Sequence, residues 1–141
     1  MSIAQKTLRS MRVIHAAFLL AALLYVWVPS TIVHDSGKAA PMAMVLAFGL
    51  VALSTLGISF FFRRRIVQPA AERLTKNPED SLAAGRWRGG VLVSLVFCES
   101  VVLFGLALRF IGAGWNVCGV FYAAGILFLL AWTPKLDLLP Q

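Results

Sequence analysis

The chain has 141 residues, of which 60% are hydrophobic and 13% are charged, and its formal net charge is +7. Soluble domains carry roughly 25% charged residues, so this composition excludes an ordinary soluble protein and indicates a membrane protein. The positive charge does not indicate nucleic acid, because the Lys and Arg residues lie beside apolar runs and form no basic stripe with interleaved aromatic residues.

Long apolar runs occupy more than half of the sequence and leave no room for a separate soluble domain. We predict one all-α transmembrane domain of four helices, arranged as two hairpins in the lipid bilayer. The predicted helices cover residues of about 11–29, 41–62, 90–111 and 114–132, and a loop over 63–89 joins the second to the third.

The first apolar run, from Val13 to Val28, is only 16 residues long and is short for a membrane span, so its helix should begin before Val13. We expect Ile3, Leu8 and Met11 to lie along the membrane surface.

The distribution of basic residues predicts the orientation of the chain. Three Lys and Arg residues precede the first predicted helix, seven lie between Arg63 and Arg88, and Lys135 follows the last helix. Only Lys38 and Arg109 belong to the other side, where Arg109 should extend its side chain to the outer surface. The positive-inside rule therefore places both termini and the central loop in the cytoplasm, in a multi-pass protein of the cell's inner (cytoplasmic) membrane.

The four tryptophans agree with this orientation. Trp27 and Trp115 lie at predicted outer helix ends, and Trp87 and Trp132 lie at predicted inner ends. Aromatic residues at both ends of the spans are typical of the two membrane interfaces.

The loop over 63–89 should itself be helical. It begins with three arginines at the headgroup level, and Pro69 suits the first turn of a short surface helix. Asn77 and Pro78 form a second start signal, with Asn77 as the cap, so a new helix should run from there into the third span.

One carboxylate, Glu99, lies in the middle of the third predicted span. The span over 90–111 is about 33 Å long at about 1.5 Å per residue, which matches a hydrocarbon core of roughly 30 Å. A charge at that depth costs on the order of 3 kcal/mol, so such residues usually face a partner or a water-filled path. With no cation nearby in sequence, Glu99 should rest in its neutral form, able both to donate and to accept a hydrogen bond.

The second predicted helix is rich in small residues, which allow close helix approach in a bilayer. Its hydroxyl residues, Ser54, Thr55 and Ser59, are candidate partners for Glu99 in an ion-binding site. The alternative is that each hydroxyl bonds the carbonyl four residues before it. In the fourth helix, Gly119 and Ala123 have the spacing of a packing seam.

No other sequence pattern predicts a catalytic or metal-binding site. Cys98 and Cys118 lie inside apolar runs without metal-ligand spacing, so we interpret them as buried apolar residues, with a disulfide as the alternative. His15 should bond a neighbouring helix or a headgroup, a proton relay being the less common case. We expect no catalytic group, metal or cofactor, because no paired carboxylates, His cluster or activated nucleophile is visible.

The residues that follow Glu99 resemble the proteolipid or c subunit of rotary ATP synthases. In that family a mid-membrane acid is followed by an apolar stretch, an aromatic residue and Gly-Leu, and here Glu99 is followed by 100–103, Phe104, Gly105 and Leu106. Gln68-Pro69 stands where the family has its cytoplasmic Arg-Gln-Pro-like loop. The resemblance covers about a dozen residues and implies that Glu99 carries a proton or a sodium ion.

Two functions follow as expectations. In one, the chain handles protons or sodium through Glu99, as a homo-oligomer or as part of a larger membrane complex. In the other, it is a non-enzymatic scaffold or accessory subunit of such a complex, and Glu99 only forms a hydrogen bond between helices.

Overall fold

The structure is a computed structural model that describes residues 1–32 and 40–136. All of the regular structure in these residues is helical. Lys38, which the orientation argument used, lies outside the described residues. The helices are α1 (Ile3–Ile32), α2 (Met42–Phe62), a π-helical turn (Arg63–Val67), α3 (Gln68–Lys76), α4 (Ser81–Phe110) and α5 (Trp115–Ala131).

The centre of the molecule is α4, against which α1, α2, the π-helical turn, α3 and α5 all pack. Glycines at three positions make the closest approaches possible. A Cβ at Gly125 of α5 would lie 2.4 Å from Val102 Cγ2, and one at Gly90 would lie 2.8 Å from Val67 Cγ2. On α4, a Cβ at Gly105 would lie 3.1 Å from Phe121 Cβ. Small residues therefore bring neighbouring backbones close to α4, as expected where dispersion contacts drive helix association.

The predicted seam through Gly119 and Ala123 is wrong. Gly119 has no atom within 4 Å of a Cβ built on it, and Ala123 is exposed. The buried side of α5 instead follows a helical spacing through Cys118, Phe121, Tyr122, Gly125 and Leu129. Small residues lie on both sides of α5, so their spacing alone did not identify the buried side.

The helix directions alternate along the chain. Ala4 N–H donates to the Pro78 carbonyl at 3.0 Å just before α4, and Tyr25 near the other end of α1 approaches Glu99, so α1 runs parallel to α4. Contacts of Phe48 with Phe104 and of Phe62 with Phe97 show that α2 runs antiparallel to α4. The third and fourth predicted spans form a packed hairpin, which consists of α4 and α5. In contrast, α1 packs against α4 and α5 and not chiefly against α2, so the first two helices form no comparable packed pair.

The connection before α4 is built from turn chemistry. A new helix does run from this region into the third predicted span, as expected, but it begins at Ser81. Its cap is Asp80, whose carboxylate accepts from Ala83 N–H at 2.9 Å, while Asn77 Oδ1 accepts from Glu79 N–H within the preceding turn. The prediction that Asn77 caps α4 is therefore wrong.

Two other connections follow backbone rules. The short surface helix is present as α3, with Pro69 in its first turn. Between α4 and α5 the chain reverses at Gly112, whose φ of 101° favours glycine.

The apolar surface is extensive. Exposed large hydrophobic residues include Leu20 and Leu23 on α1, Leu46, Leu50 and Leu53 on α2, and Leu127 on α5. Three helical segments are long and apolar enough to cross a membrane: Ile3–Ile32, Met42–Lys76 and Ser81–Phe110. The fourth predicted span corresponds to α5, a shorter apolar helix of 17 residues.

Several side chains are more buried than the sequence suggested. α1 begins early, at Ile3, as expected, but Met11 is fully buried instead of lying on the surface. Trp87 and Trp132 are buried at 1% and 7% exposure, whereas Trp27 is 63% exposed. The two tryptophans predicted for the inner interface are therefore packing residues, because the start of α4 and the end of α5 are covered by neighbouring helices.

Candidate functional site around Glu99

Glu99 lies midway along the apolar part of α4 and is half-buried. The Tyr25 hydroxyl, which belongs to α1, approaches the Glu99 carboxylate. Within the residues that the structure describes, no charged side chain acts on this carboxylate. The site therefore consists of one acid and one uncharged hydrogen-bonding group, at the contact between α1 and α4.

The three hydroxyl residues predicted to meet Glu99 have other partners. Ser54 Oγ donates to the Leu50 carbonyl at 2.9 Å, and Thr55 Oγ1 donates to the Val51 carbonyl at 2.7 Å. Both bonds follow the alternative, in which a hydroxyl bonds the carbonyl of the preceding helical turn. Ser54 is exposed on α2, and neither hydroxyl joins the carboxylate.

Ser59 is the one predicted partner that reaches α4. Its hydroxyl is fully buried and donates to the Ser94 carbonyl at 3.2 Å. It also lies beside the thiol of Cys98, the residue before Glu99. Ser59 thus ties α2 to α4 near the acid, but it contacts the backbone and a thiol. That Glu99, Ser54, Thr55 and Ser59 bind an ion together stays a prediction.

Tyr25 is the residue that sequence reasoning missed at this site. Because α1 begins at Ile3 beside Pro78 and runs parallel to α4, Tyr25 reaches the level of Glu99. The equal spacing from Ala4 to Tyr25 and from Pro78 to Glu99 would have indicated this pairing, had the parallel contact of the two helices been known.

A second polar cluster lies at the turn between α4 and α5. Arg109 is only 3% exposed, donates from Nη1 to the Ala113 carbonyl at 3.1 Å, and holds its guanidinium 4.8 Å from the Trp115 ring centroid. The prediction that Arg109 reaches the outer surface is wrong, because the Gly112 turn folds α5 over it. The buried Tyr122 hydroxyl makes no hydrogen bond within the part of the chain described, and Cys118 Sγ lies 3.6 Å from the Ala113 carbonyl.

The histidine and the cysteines have structural environments. His15 Nε2 lies 2.8 Å from the Leu129 carbonyl, and because a carbonyl oxygen only accepts, the ring nitrogen donates. Leu129 belongs to the last turn of α5, where carbonyls lack partners within the helix. His15 therefore bonds a neighbouring helix, which is one of the two partners expected for it. Cys98 and Cys118 are both buried free thiols, which confirms their interpretation as buried apolar residues.

The described residues contain no group of three or more His, Cys, Asp or Glu side chains that could hold a metal ion. No family model, curated protein or solved structure matches the chain. The resemblance of the residues after Glu99 to the proteolipid subunit therefore stays a prediction. What the arrangement offers chemically is a single titratable group in apolar surroundings, with a tyrosine hydroxyl beside it.

Proposed function

We propose that this chain is a polytopic membrane protein that carries protons on Glu99 as part of a homo-oligomer or a larger membrane complex. In the proposed topology α1, α2, α4 and α5 cross the bilayer, and both termini and α3 lie in the cytoplasm. The arginine-rich end of α2 supports this orientation, and α5 fits within the shorter range of known spans. The exposed leucines would then face lipid tails.

The observation that carries the proposal is the setting of Glu99. The carboxyl group is half-buried on an apolar helix, faces an uncharged hydroxyl and has no cation acting on it among the described residues. A carboxyl group in such surroundings favours its neutral form and can change its charge only by exchanging a proton. An acid that stays partly accessible meets the first requirement of a proton carrier, because its proton must be able to leave and return.

The oxygen atoms near Glu99 favour a proton over a sodium ion. A hard metal cation needs several oxygen ligands in one place. The hydroxyls of Ser54 and Thr55 are used within α2, and that of Ser59 is used on the Ser94 carbonyl. In the described part of the chain, Tyr25 is left as the one side chain that hydrogen-bonds the carboxylate, which suits a proton better than a metal ion.

The test compares Glu99→Gln with Glu72→Gln, an exposed acid on α3 that serves as the matched control. In reconstituted vesicles, a hydrophobic carbodiimide should label the wild type and Glu72→Gln but not Glu99→Gln. Labelling should decline as the pH is raised, because the reagent attacks the protonated acid. Proton flux driven by a pH gradient should be abolished in Glu99→Gln, partly retained in Glu99→Asp and unchanged in Glu72→Gln.

Equal labelling of all variants, or unchanged flux in Glu99→Gln, would overturn the proton-carrier proposal. A second function would then take its place: an accessory subunit in which Glu99 bonds Tyr25 across the α1–α4 contact. The approach of the two side chains favours that alternative. It requires Tyr25→Phe and Glu99→Leu to lower thermal stability by similar amounts, about 0.6 kcal/mol for one interhelical bond in a membrane, with Glu99→Gln functionally silent.

A further inference from the structure

A cavity lined by three arginines lies at the end of the molecule that holds α3. It has a volume of about 430 Å³ and is bounded by Arg65, Ile66, Pro69, Ala70, Arg73, Ala83 and Arg86. The arginines come from three elements: the π-helical turn, α3 and the first turns of α4. Residues far apart in sequence thus meet around one space, within the size range of sites for small ligands.

The walls of the cavity are set by packing. Ala70 and Ala83 form an apolar floor and are 4% and 2% exposed. Beside them, Val67 lies so close to Gly90 that a Cβ there would meet its Cγ2 at 2.8 Å. The π-helical turn and α3 are therefore fixed against α4, while the three arginine side chains are exposed.

The charge of the cavity is of one sign. All three charged lining residues are arginines, and among residues 1–32 and 40–136 no carboxylate lines the space. Arg65 also stacks its guanidinium 5.7 Å from the Phe61 ring centroid, which orients it at the end of the apolar α2. Planar guanidinium groups bind phosphate oxygens through paired hydrogen bonds, and basic pockets beside membrane helices suit anionic headgroups.

We propose that this cavity binds a phosphate group, held by Arg65, Arg73 and Arg86. The phosphate is carried either by an anionic phospholipid or by a free phosphate compound. The lipid source depends on the proposed membrane topology, in which the end of α2 lies at the headgroup level, but it does not depend on Glu99. The site is therefore separate from the proposed proton carrier and can fail or succeed independently of it.

The chain offers a matched control for the arginines. Arg64 stacks on Phe60 at 5.4 Å much as Arg65 stacks on Phe61, and Arg88 follows Arg86 by two residues on α4. Both Arg64 and Arg88 are exposed, and neither lines the cavity. The double variants Arg65→Gln/Arg86→Gln and Arg64→Gln/Arg88→Gln therefore remove the same charge from the same region, and only the first removes it from the cavity.

The experiment titrates the purified full chain in a neutral detergent, using calorimetry at fixed salt concentration. The lipid probes are dioctanoyl phosphatidylglycerol and, as a zwitterionic comparison, dioctanoyl phosphatidylcholine. The free probes are inorganic phosphate and glycerol 3-phosphate. We expect saturable binding of phosphatidylglycerol, weakened at least about tenfold in Arg65→Gln/Arg86→Gln and by less than about twofold in Arg64→Gln/Arg88→Gln.

The results distinguish a lipid phosphate from a free phosphate compound, and binding in the cavity from unspecific attraction to the surface. Binding of phosphatidylglycerol without glycerol 3-phosphate assigns the cavity to lipid, whereas equal binding of glycerol 3-phosphate assigns it to a free phosphate compound. Equal weakening in both double variants would overturn the proposal in favour of unspecific surface attraction, and so would the absence of binding by every anionic probe. If Arg65→Gln/Arg86→Gln lost helix content, the single variants Arg86→Gln and Arg88→Gln would be compared instead. Phosphatidylglycerol binding should then be weakened more in Arg86→Gln than in Arg88→Gln, and equal weakening would overturn the proposal.

Discussion

The most apolar stretches of the segments that contain α2 and α4 have similar mean hydropathies, 2.2 and 2.5, but the two helices have opposite surroundings. Of the 30 residues of α4, 13 are buried, whereas α2 buries only Ala52 and Ser59 among its 21 residues. Gly49 and Gly57 of α2 have open space where a Cβ would lie, while Gly90 and Gly105 of α4 touch neighbouring side chains. Small residues thus determine packing only where they face another helix, and their number in a sequence does not show this.

The largest expected effect tests that difference at the contact between α5 and α4. In Gly125→Ala the new Cβ would lie 2.4 Å from Val102 Cγ2 and 3.0 Å from the Cys98 carbonyl oxygen, so the helices must separate. We expect a loss of about 1–3 kcal/mol in the free energy of unfolding. The measurement is denaturant unfolding in mixed micelles.

Two substitutions in open space serve as controls for it. Gly57→Ala on α2 and Gly119→Ala on α5 meet no atom within 4 Å, and the better helix propensity of alanine should stabilise each by up to about 1 kcal/mol. A loss of stability in these variants as large as that in Gly125→Ala would show that the close approach to α4 does not matter.

A smaller effect concerns how the two helices begin. α4 is capped by Asp80, whose side chain accepts from Ala83 N–H, whereas α2 begins after Pro41 without a side-chain cap. Asp80→Ala should cost about 1 kcal/mol and speed amide exchange in the first turn of α4. Asn77→Ala should cost less, because the Asn77 side chain bonds within an exposed turn. The reverse order of the two costs would restore Asn77 as the cap.

The smallest effect concerns a buried hydrogen bond between α2 and α4. Ser59→Ala removes the hydrogen bond to the Ser94 carbonyl and should cost about 0.6 kcal/mol. Ser54→Ala removes a bond within an exposed face of α2 and should change thermal stability by much less. Indistinguishable melting temperatures for wild type and Ser59→Ala would mean that apolar contacts alone hold α2 in place.

The sequence was sufficient to predict the helices. The apolar runs, Pro69 and the start signal at 77–80 predicted the helical elements, including α3 and the continuation of α4 through the loop. These features depend on neighbouring residues, so local rules reach them. The choice between Asn77 and Asp80 as the cap depended on backbone geometry within one turn, which is finer than those rules resolve.

The surroundings of single polar residues could not be predicted in the same way. Arg109 was expected at the surface and is buried, because the Gly112 turn determines where α5 folds. The pairing of Glu99 with Tyr25 depends on the parallel contact of α1 and α4, which are separated by the whole of α2 and α3. Such contacts follow from the tertiary arrangement. Local sequence rules do not predict which helices will lie side by side.

The parallel contact of α1 with α4 has a consequence for biosynthesis. Ala4 N–H bonds the Pro78 carbonyl, and His15 bonds the Leu129 carbonyl, so α1 finds these partners only when the chain has been made as far as α4 and α5. Until then the polar groups of His15 and Tyr25 lack these contacts. Assembly of the bundle is therefore completed only after α5 has been made, and a nascent chain that ends after α3 should hold α1 and α2 as separate helices.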